Sequence, residues 1–256
     1  MTDIKSIGVV AGAGPFAGVD LLNKIFEQTR AAKDQEHLDV IGLFRPAAIT
    51  DRTSFLLDPK LPNPGFAIAR QVLELETMGA SVAGIPCNTA HAPAILEVTL
   101  AELDRAGAKI VFLNMISEVV QHIRTVMPQA VRIGILSTTG TYRSDLYPAY
   151  LQAAGLQAIT PDEDMQIERI HPAIVDPQFG IKVLGRNAQK ARQHLLDGLE
   201  QLVHKGAQAV VLGCTEIPLA IPEGTYGTIP LVDATVVLAR ALIREVAPER
   251  LKPFSP

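Results

Sequence analysis

The stretch GASVAGIPCNTAH, residues 79–91, is an apolar run that ends in a cysteine and continues with polar residues. Short apolar runs bounded by glycine or proline are typical of buried strands in a parallel sheet. A similar stretch, GAQAVVLGCTEIP, occupies residues 206–218. Each stretch predicts a strand with a cysteine just beyond its carboxyl end, so the chain carries this unit twice.

Other segments repeat at nearly the same offset. A glycine of the first apolar run, Gly8, lies 79 residues before Cys87, and Gly134 lies 80 residues before Cys214. Matching segments at one offset predict two similar α/β units, each with one cysteine in the same place. The further matching pairs are SIGVVAGAG (6–14) with VRIGILSTTG (131–140), and AKIVFLNMI (108–116) with TIPLVDATV (228–236).

Apolar runs alternate with amphipathic stretches along the whole chain, which predicts the α/β class, with parallel sheets that carry helices on both faces. The predicted strands are 5–11, 39–44, 81–86, 109–113, 131–136, 156–159, 208–213 and 229–232. The predicted helices are 16–31, 65–78, 90–105, 117–127, 141–154, 187–205 and 235–246. The proline-rich tract at 58–65 predicts a loop.

Composition excludes several classes of partner. The 256 residues are 48% hydrophobic and carry a net charge of −4, which gives no electrostatic reason to expect nucleic acid or an anionic membrane surface. The longest uncharged apolar stretch is interrupted by glycines and is too short to span a bilayer, so we expect a cytoplasmic protein. Two cysteines make no disulfide framework, and the six histidines lack metal-site spacing, so no metal is expected.

The opening segment GVVAGAGPFAGVD, residues 8–20, has the glycine-rich form of a dinucleotide-binding turn. Two features argue against that interpretation. The next predicted strand ends at Phe44 and Arg45 without the acidic residue that binds the ribose, and Pro15 removes a backbone N–H at the helix start. The turn could also serve only the passage from strand to helix, or line a pocket for a smaller anion; these alternatives stay open.

The two cysteines predict acid–base chemistry. Ligands of α/β proteins bind at the carboxyl ends of the strands, where helix N-termini favour a thiolate and lower the pKa of a cysteine towards neutrality. If the two units face each other, one thiolate takes a proton from a carbon and the opposing thiol gives one to the other face. The product is the mirror image of the substrate. His91, one helical turn after Cys87, is expected to serve the structure of the helix rather than the thiol.

The motifs PCNTAH (86–91) and GCTEIPL (213–219) resemble the paired signatures of the aspartate/glutamate racemase superfamily. The chain most resembles the aspartate racemase branch, because glutamate racemases usually carry histidine where this chain has Glu216. The resemblance implies two α/β domains related by pseudo-twofold symmetry, with the active site between them. The first would hold residues 1–116 and 236–256, and the second residues 117–235.

The resemblance also implies a racemase that interconverts L- and D-aspartate, or glutamate, without a cofactor, pyridoxal phosphate included. Cys87 and Cys214 would be the two acid–base thiols, and relatives are often homodimers. Arg52 and Lys182 match basic residues that hold the side-chain carboxylate of a dicarboxylic substrate. The implied substrate-binding residues are Gly12, Ala13, Gly14, Arg52, Asn88, Thr89, Thr139, Thr141, Lys182, Thr215 and Glu216.

Departures from the family pattern put the substrate in question. Relatives usually open with Gly-Gly-Met-Gly-Pro, whereas this chain has Ala-Gly-Ala-Gly-Pro at 11–15, and Asn114 stands where histidine is frequent. A maleate-type isomerase or a hydantoin racemase of the same superfamily is one alternative. A non-catalytic amino-acid-binding protein on the same fold is another.

Overall fold

A computed structural model describes residues 5–254. Its strands are β1 (Ser6–Val10), β2 (Val40–Leu43), β3 (Ala80–Gly84), β4 (Val111–Phe112), β5 (Arg132–Ser137), β6 (Gln157–Ile159), β7 (Ala209–Gly213), β8 (Thr225–Tyr226) and β9 (Ile229–Asp233). Its helices are α1 (Pro15–Gln28), α2 (Arg52–Leu57), α3 (Pro64–Thr77), α4 (Pro93–Arg105), α5 (Met115–Val126), α6 (Thr139–Arg143), α7 (Leu146–Ala153), α8 (Glu163–Met165), α9 (His171–Val175), α10 (Ile181–Leu184), α11 (Gln189–His204), α12 (Ile217–Ala220) and α13 (Ala234–Val246).

The chain divides into two compact units. The first unit contains the described residues up to Glu118 together with those from Thr235 onward, and the second runs from Val119 to Ala234. The division therefore passes through α5 and falls at the start of α13.

The first unit contains a parallel sheet with the strand order β2-β1-β3-β4. Every residue of β1 is buried, as expected for a strand covered on both faces. Helix α3 supplies part of the apolar cover, since Ile68, Val72 and Leu75 pack into one core cluster with Val10 and Ile85. Its start is set by Asn63, whose side chain accepts a hydrogen bond from the backbone of Gly65.

The second unit repeats this plan with the order β6-β5-β7-β9-β8. Its strands are parallel except β8, which pairs antiparallel with β9 at the edge. Strand β7 is buried throughout, and α11 covers the sheet with Leu195, Leu199 and Leu202 in the same core cluster as Val210 and Leu212.

Four strands of each unit correspond one to one, because β2-β1-β3-β4 has the same order as β6-β5-β7-β9. This confirms two similar units, each with a parallel sheet flanked by helices. In both sheets the strand order reverses direction at one point. This point lies between β1 and β3 in the first unit and between β5 and β7 in the second. The carboxyl ends of such a strand pair form the crevice in which open α/β sheets bind ligands.

Several details differ from the prediction. The helix expected at 141–154 is two helices, because Asp145 adopts a left-handed conformation with φ 53° between α6 and α7. The loop predicted at 58–65 ends earlier, since α3 already begins at Pro64. The edge strand β8 and the helices α2, α10 and α12 were not predicted, because they are too short to show a period. The irregular helical segment that runs from α8 through a π-helical turn to α9 was not predicted either. Among the helices within residues 5–254, none has both the length and the apolar character that crossing a bilayer requires.

Candidate active site

The opening turn follows β1 as one 3-10 turn, Ala11–Ala13, and leads into α1 at Pro15. A Cβ on Gly12 would lie 2.7 Å from the backbone nitrogen of Arg45, and one on Gly18 would lie 2.6 Å from the carbonyl oxygen of Ala11. Both contacts are with backbone, which cannot move aside cheaply. The protein's own packing therefore accounts for these two glycines, and it supports the interpretation of a tight passage from strand to helix.

The side chain of Arg52 is buried against this turn and is not a solvated surface charge. It is the first residue of α2, is 7% exposed, and donates a hydrogen bond from Nη2 to the carbonyl oxygen of Ala13. The Asp51 carboxylate caps the same helix by accepting from the backbone N–H of Ser54 at 2.8 Å. The structure therefore brings the predicted residues Arg52 and Ala13 together in the first unit.

Cys87 follows β3 and precedes a 3-10 turn, Asn88–His91. Because Val9 of β1 pairs with Gly84 of β3, the opening turn and the cysteine turn leave the sheet side by side at its carboxyl edge. The thiol residue is 9% exposed, and Asn88 and Thr89 are 2% and 6% exposed. The first unit thus places a buried cysteine beside two buried polar side chains at the crevice of its sheet.

His91 supports the backbone of the cysteine turn. Its Nδ1 lies 3.0 Å from the carbonyl oxygen of Cys87 and its Nε2 lies 3.4 Å from the carbonyl oxygen of Leu113. Burial lowers the pKa of His91 below its ordinary value of 6.5, so the ring is neutral at physiological pH. A neutral imidazole donates one proton, and the shorter contact assigns it to Nδ1. The expected structural role of His91 agrees with these contacts.

In the second unit, the turn after β5 corresponds to the opening turn. Thr139 and Thr141 lie in α6 and are 7% and 2% exposed, and Thr138 caps this helix by accepting from the backbone N–H of Thr141. Ser137 of β5 pairs with Gly213 of β7, so this turn leaves the sheet beside the turn that carries Cys214.

Two residues that no sequence motif predicted, Gln166 and His171, hold the turn that carries Thr139 and Thr141 (the threonine turn). The Gln166 amide donates to the carbonyl oxygen of Ser137 at 3.0 Å, and the backbone N–H of Thr139 donates to Nδ1 of His171 at 3.3 Å. Both residues belong to one irregular helical segment with a π-helical turn at Gln166–Ile170. No motif or period marks that segment in the sequence, so only the three-dimensional contacts identify it.

Cys214 directly follows β7 and is 6% exposed. Its Sγ donates a hydrogen bond to Oε2 of Glu216 at 3.1 Å, and the Thr215 hydroxyl lies 3.4 Å from the same oxygen. The Lys182 ammonium lies 3.9 Å from the other oxygen, Oε1. The structure therefore brings four predicted site residues of the second unit into one hydrogen-bonded and charged group.

The surroundings of Cys214 raise the pKa of its thiol well above the ordinary value. Burial is the largest cause and the negative charge of Glu216 is the next, while Lys182 acts in the opposite direction. The predicted lowering towards neutrality is therefore wrong for Cys214. The helix beyond it, α12, has four residues, and so short a dipole is outweighed by desolvation and by a carboxylate in direct contact.

Metal ligation gives no further candidate. Across the part of the chain from residue 5 to residue 254, no three or more His, Cys, Asp and Glu side chains are grouped so that they could hold a metal ion.

The fold and these turns define a class of protein: a two-unit α/β enzyme with one buried cysteine at the crevice of each parallel sheet. Comparison with known proteins identifies the family. The Asp/Glu/Hydantoin racemase family matches residues 10–242, and the chain belongs to this family. It is accordingly an amino-acid racemase, an isomerase by reaction class.

The similarity to three individual relatives covers almost the whole chain. The broad specificity amino-acid racemase RacX of Bacillus subtilis (strain 168) is 24% identical over 244 residues, which are 93% of this chain and 96% of that protein. The structure of Picrophilus torridus aspartate racemase is 28% identical, with a TM-score of 0.78 and coverage of 97% of this chain and 96% of that one. An aspartate racemase homologue from Pyrococcus horikoshii OT3 shares the fold at 21% identity, with a TM-score of 0.72 and coverage of 95% and 99%.

Proposed function

We propose that this chain interconverts L- and D-aspartate without a cofactor, using Cys87 and Cys214 as its two acid–base groups. One observation carries the proposal. Each unit places one buried cysteine in the turn that follows the corresponding strand, β3 in the first unit and β7 in the second. In both sheets this strand lies beside the point at which the strand order reverses direction. A reaction that removes a proton from one face of a carbon and returns one to the other needs two such groups.

The proposed reaction moves two protons and no electrons to or from an external acceptor. One thiolate takes the proton on Cα, the electron pair that remains is shared with the α-carboxylate, and the opposing thiol delivers its proton to the other face. The α-hydrogen of an amino acid is a very weak acid, so the site must stabilise the developing negative charge. We propose that backbone and side-chain donors in the two cysteine turns and the two opening turns do so.

For the α-carboxylate, the proposed donors are the short polar side chains of these turns. All are buried, so their hydrogen bonds to a substrate would act away from bulk water, where such bonds are electrostatically stronger. They are Asn88, Thr89, Thr139, Thr141 and Thr215.

For the side-chain carboxylate, the proposed partner is Arg52. It is a buried guanidinium that already lies against the carbonyl oxygen of Ala13 in the opening turn. A guanidinium binds a carboxylate through two parallel hydrogen bonds, which favours aspartate or glutamate over a neutral amino acid.

A broader substrate range is the second candidate. Two observations favour it: the full-length similarity to a broad specificity racemase, and the contact of Lys182 with the carboxylate of Glu216. A lysine that neutralises a protein carboxylate offers less charge to a dicarboxylic substrate. Location in the cytoplasm, assembly as a homodimer and the placing of the two units about one substrate stay predictions.

Proton exchange in heavy water tests the proposal. The dialysed protein is incubated separately with L-aspartate, L-glutamate and L-alanine, and deuterium at Cα is followed by NMR while chirality is followed by circular dichroism. We expect exchange and racemisation with aspartate, at a rate at least about tenfold above that with alanine if Arg52 contributes one charge-assisted hydrogen bond. Similar rates with all three amino acids would favour broad specificity.

The double variant Cys87→Ser/Cys214→Ser is the matched control and should leave each amino acid unchanged. Exchange with none of the three amino acids in the unmodified chain, while the chain is folded, would contradict the proposal.

A further inference from the structure

We propose that Glu216, with Lys182 as its countercharge, is a positioning residue that holds the proton on Cys214, so that Cys214 is the proton donor of the resting enzyme. The inference rests on the proposed function, because it assigns different resting states to the two thiols. It changes the role of Glu216 and Lys182, which the family resemblance places at the substrate.

The contact between Cys214 and Glu216 is a hydrogen bond in which the thiol is the donor. The Glu216 side chain is 5% exposed, and its Oε2 lies 3.1 Å from Sγ of Cys214. A carboxylate oxygen accepts hydrogen bonds, and a thiol that keeps its proton can donate one to it. A thiolate at this position would place two negative charges in direct contact within a poorly solvated site, which costs free energy.

Lys182 places a positive charge beside the carboxylate of Glu216. Its ammonium lies 3.9 Å from Oε1, the oxygen that does not contact sulfur, and its side chain is 29% exposed. Thr215 contributes a hydroxyl 3.4 Å from Oε2. The carboxylate is therefore held from both sides, with one oxygen towards the cation and the other towards the thiol.

The remaining titratable group that faces Cys214 within the second unit is Tyr147. This side chain is fully buried, and burial together with the negative charge of a Cys214 thiolate raises its pKa above the ordinary value. Its hydroxyl is therefore neutral and adds no charge at the sulfur. Besides burial, the charges that act on the Cys214 thiol are those of Glu216 and Lys182.

The first unit lacks this arrangement in its described residues. There, Asn88 and Thr89 follow the cysteine, and the contact of His91 reaches the carbonyl oxygen of Cys87 rather than its sulfur. Within residues 5–254, no carboxylate hydrogen bonds to Cys87 as Glu216 does to Cys214. Cys87 is thus the group left to remove the first proton.

The proton balance of the first turnover follows. In the form of the enzyme that reacts, Cys87 is a thiolate that takes the proton on Cα and becomes a thiol. Cys214 starts as a thiol, gives its proton to the opposite face of Cα and ends as a thiolate beside Glu216. Because the two enantiomers have equal free energies, kcat/KM must be the same in both directions at every pH. The asymmetry therefore appears in the protonation of the free enzyme, and that is the quantity to measure.

A single-thiol titration measures it directly. The chain has two cysteines, so Cys87→Ser leaves Cys214 as its only thiol. The ultraviolet absorbance of the thiolate is followed against pH, after subtraction of the tyrosine signal, and the rate of alkylation by iodoacetamide at Cys214 is followed in parallel. Three further substitutions are added singly to this background: Glu216→Gln, Lys182→Met and, as the matched control, Glu223→Gln.

We expect opposite shifts from the two site substitutions. Glu216→Gln should lower the midpoint of the Cys214 titration by about one pH unit or more, which is about a tenfold faster alkylation below the midpoint. Lys182→Met should raise the midpoint, because it removes the cation that favours the thiolate. Glu223→Gln removes a carboxylate whose ion-pair partner is Arg192, and it should leave the midpoint unchanged.

A midpoint that does not move in Glu216→Gln, or that moves in the same direction in both site variants, would overturn the inference. If Glu216→Gln does not fold, as judged by circular dichroism and thermal melting, the upward shift in Lys182→Met still decides. Neither measurement involves turnover, so failure of the inference is distinct from failure of the racemase assay on the two-thiol chain.

Discussion

The two α/β units share a strand order but differ in what holds their cysteine turns. In the first unit, His91 contacts the carbonyl oxygen of Cys87, and Arg52 contacts the carbonyl oxygen of Ala13, so charged and polar side chains support the backbone. In the second unit, Glu216 contacts the sulfur of Cys214 itself. The sheet order places a thiol at each crevice, and we propose that Glu216 holds the proton on the thiol of the second unit.

The two basic residues expected at the substrate differ in the same way. Arg52 is 7% exposed and lies against a neutral carbonyl group, whereas Lys182 is more exposed and faces a carboxylate. The two contacts therefore differ in kind, because Arg52 donates to a backbone carbonyl group in the opening turn whereas Lys182 faces the carboxylate of Glu216. This comparison makes Arg52 the stronger candidate for substrate selection.

The largest effect is expected from Arg52→Ala. Loss of a charge-assisted hydrogen bond of roughly 1.5–3 kcal/mol should lower kcat/KM for aspartate by about ten- to a hundredfold relative to that for alanine. Lys182→Met should change the ratio of the two substrates by less, since its charge is paired with Glu216. The measurement is the initial rate of racemisation of both amino acids by each variant.

Arg52→Lys is the conservative control, and it should recover part of the preference for aspartate because it restores the charge without the planar fork. Equal losses on aspartate and alanine in Arg52→Ala would show that this residue only supports the opening turn.

A smaller effect is expected from substitution of the two glycines that end the strands before the cysteines. These are Gly84 at the end of β3 and Gly213 at the end of β7. A Cβ on Gly213 would lie 3.0 Å from the carbonyl oxygen of Leu136 and 3.1 Å from the ring of Tyr147. The atoms nearest to a Cβ on Gly84 would be side-chain methyl groups of Leu238 and Leu242, at 3.2 Å or more. The second unit should therefore tolerate an added methyl group less well than the first.

We expect Gly213→Ala to lower the free energy of unfolding by about 1–3 kcal/mol and Gly84→Ala to lower it by less than about 1 kcal/mol. Denaturant unfolding followed by circular dichroism measures both. A larger loss in Gly84→Ala would reverse the comparison and show that the leucine side chains cannot move aside.

Much of the fold could be predicted from the sequence because buried parallel strands are short apolar runs. The repeat around Cys87 and Cys214 also indicated that both lie beyond equivalent strands. The break at Asp145 could not be predicted, because a left-handed residue inside an amphipathic stretch leaves the hydrophobic period unchanged. The short helices were missed since their stability comes from tertiary contacts rather than from their own sequence.

The site was predicted less completely than the fold. Motifs predicted the cysteines and the polar residues after them as site residues, which stays a prediction. They did not predict Gln166 and His171, which hold the threonine turn from a distant irregular helix. The direction of the Cys214 pKa shift was predicted wrongly, because the sequence indicates the helix beyond the cysteine but neither its shortness nor the contact with Glu216. Contacts of this kind depend on the orientation of side chains, which cannot be inferred from the spacing of residues in the sequence.

The central claim is that each unit supplies one of two opposed acid–base thiols. Hydrogen exchange at Cα in heavy water, measured by NMR on L- and D-aspartate with Cys87→Ser and Cys214→Ser separately, tests it most directly. A single remaining thiol can remove a proton from its own face and return deuterium there, so each variant should exchange one enantiomer only, the two variants should choose opposite enantiomers, and neither should interconvert them. Exchange of the same enantiomer by both variants, or racemisation by either, would contradict the account.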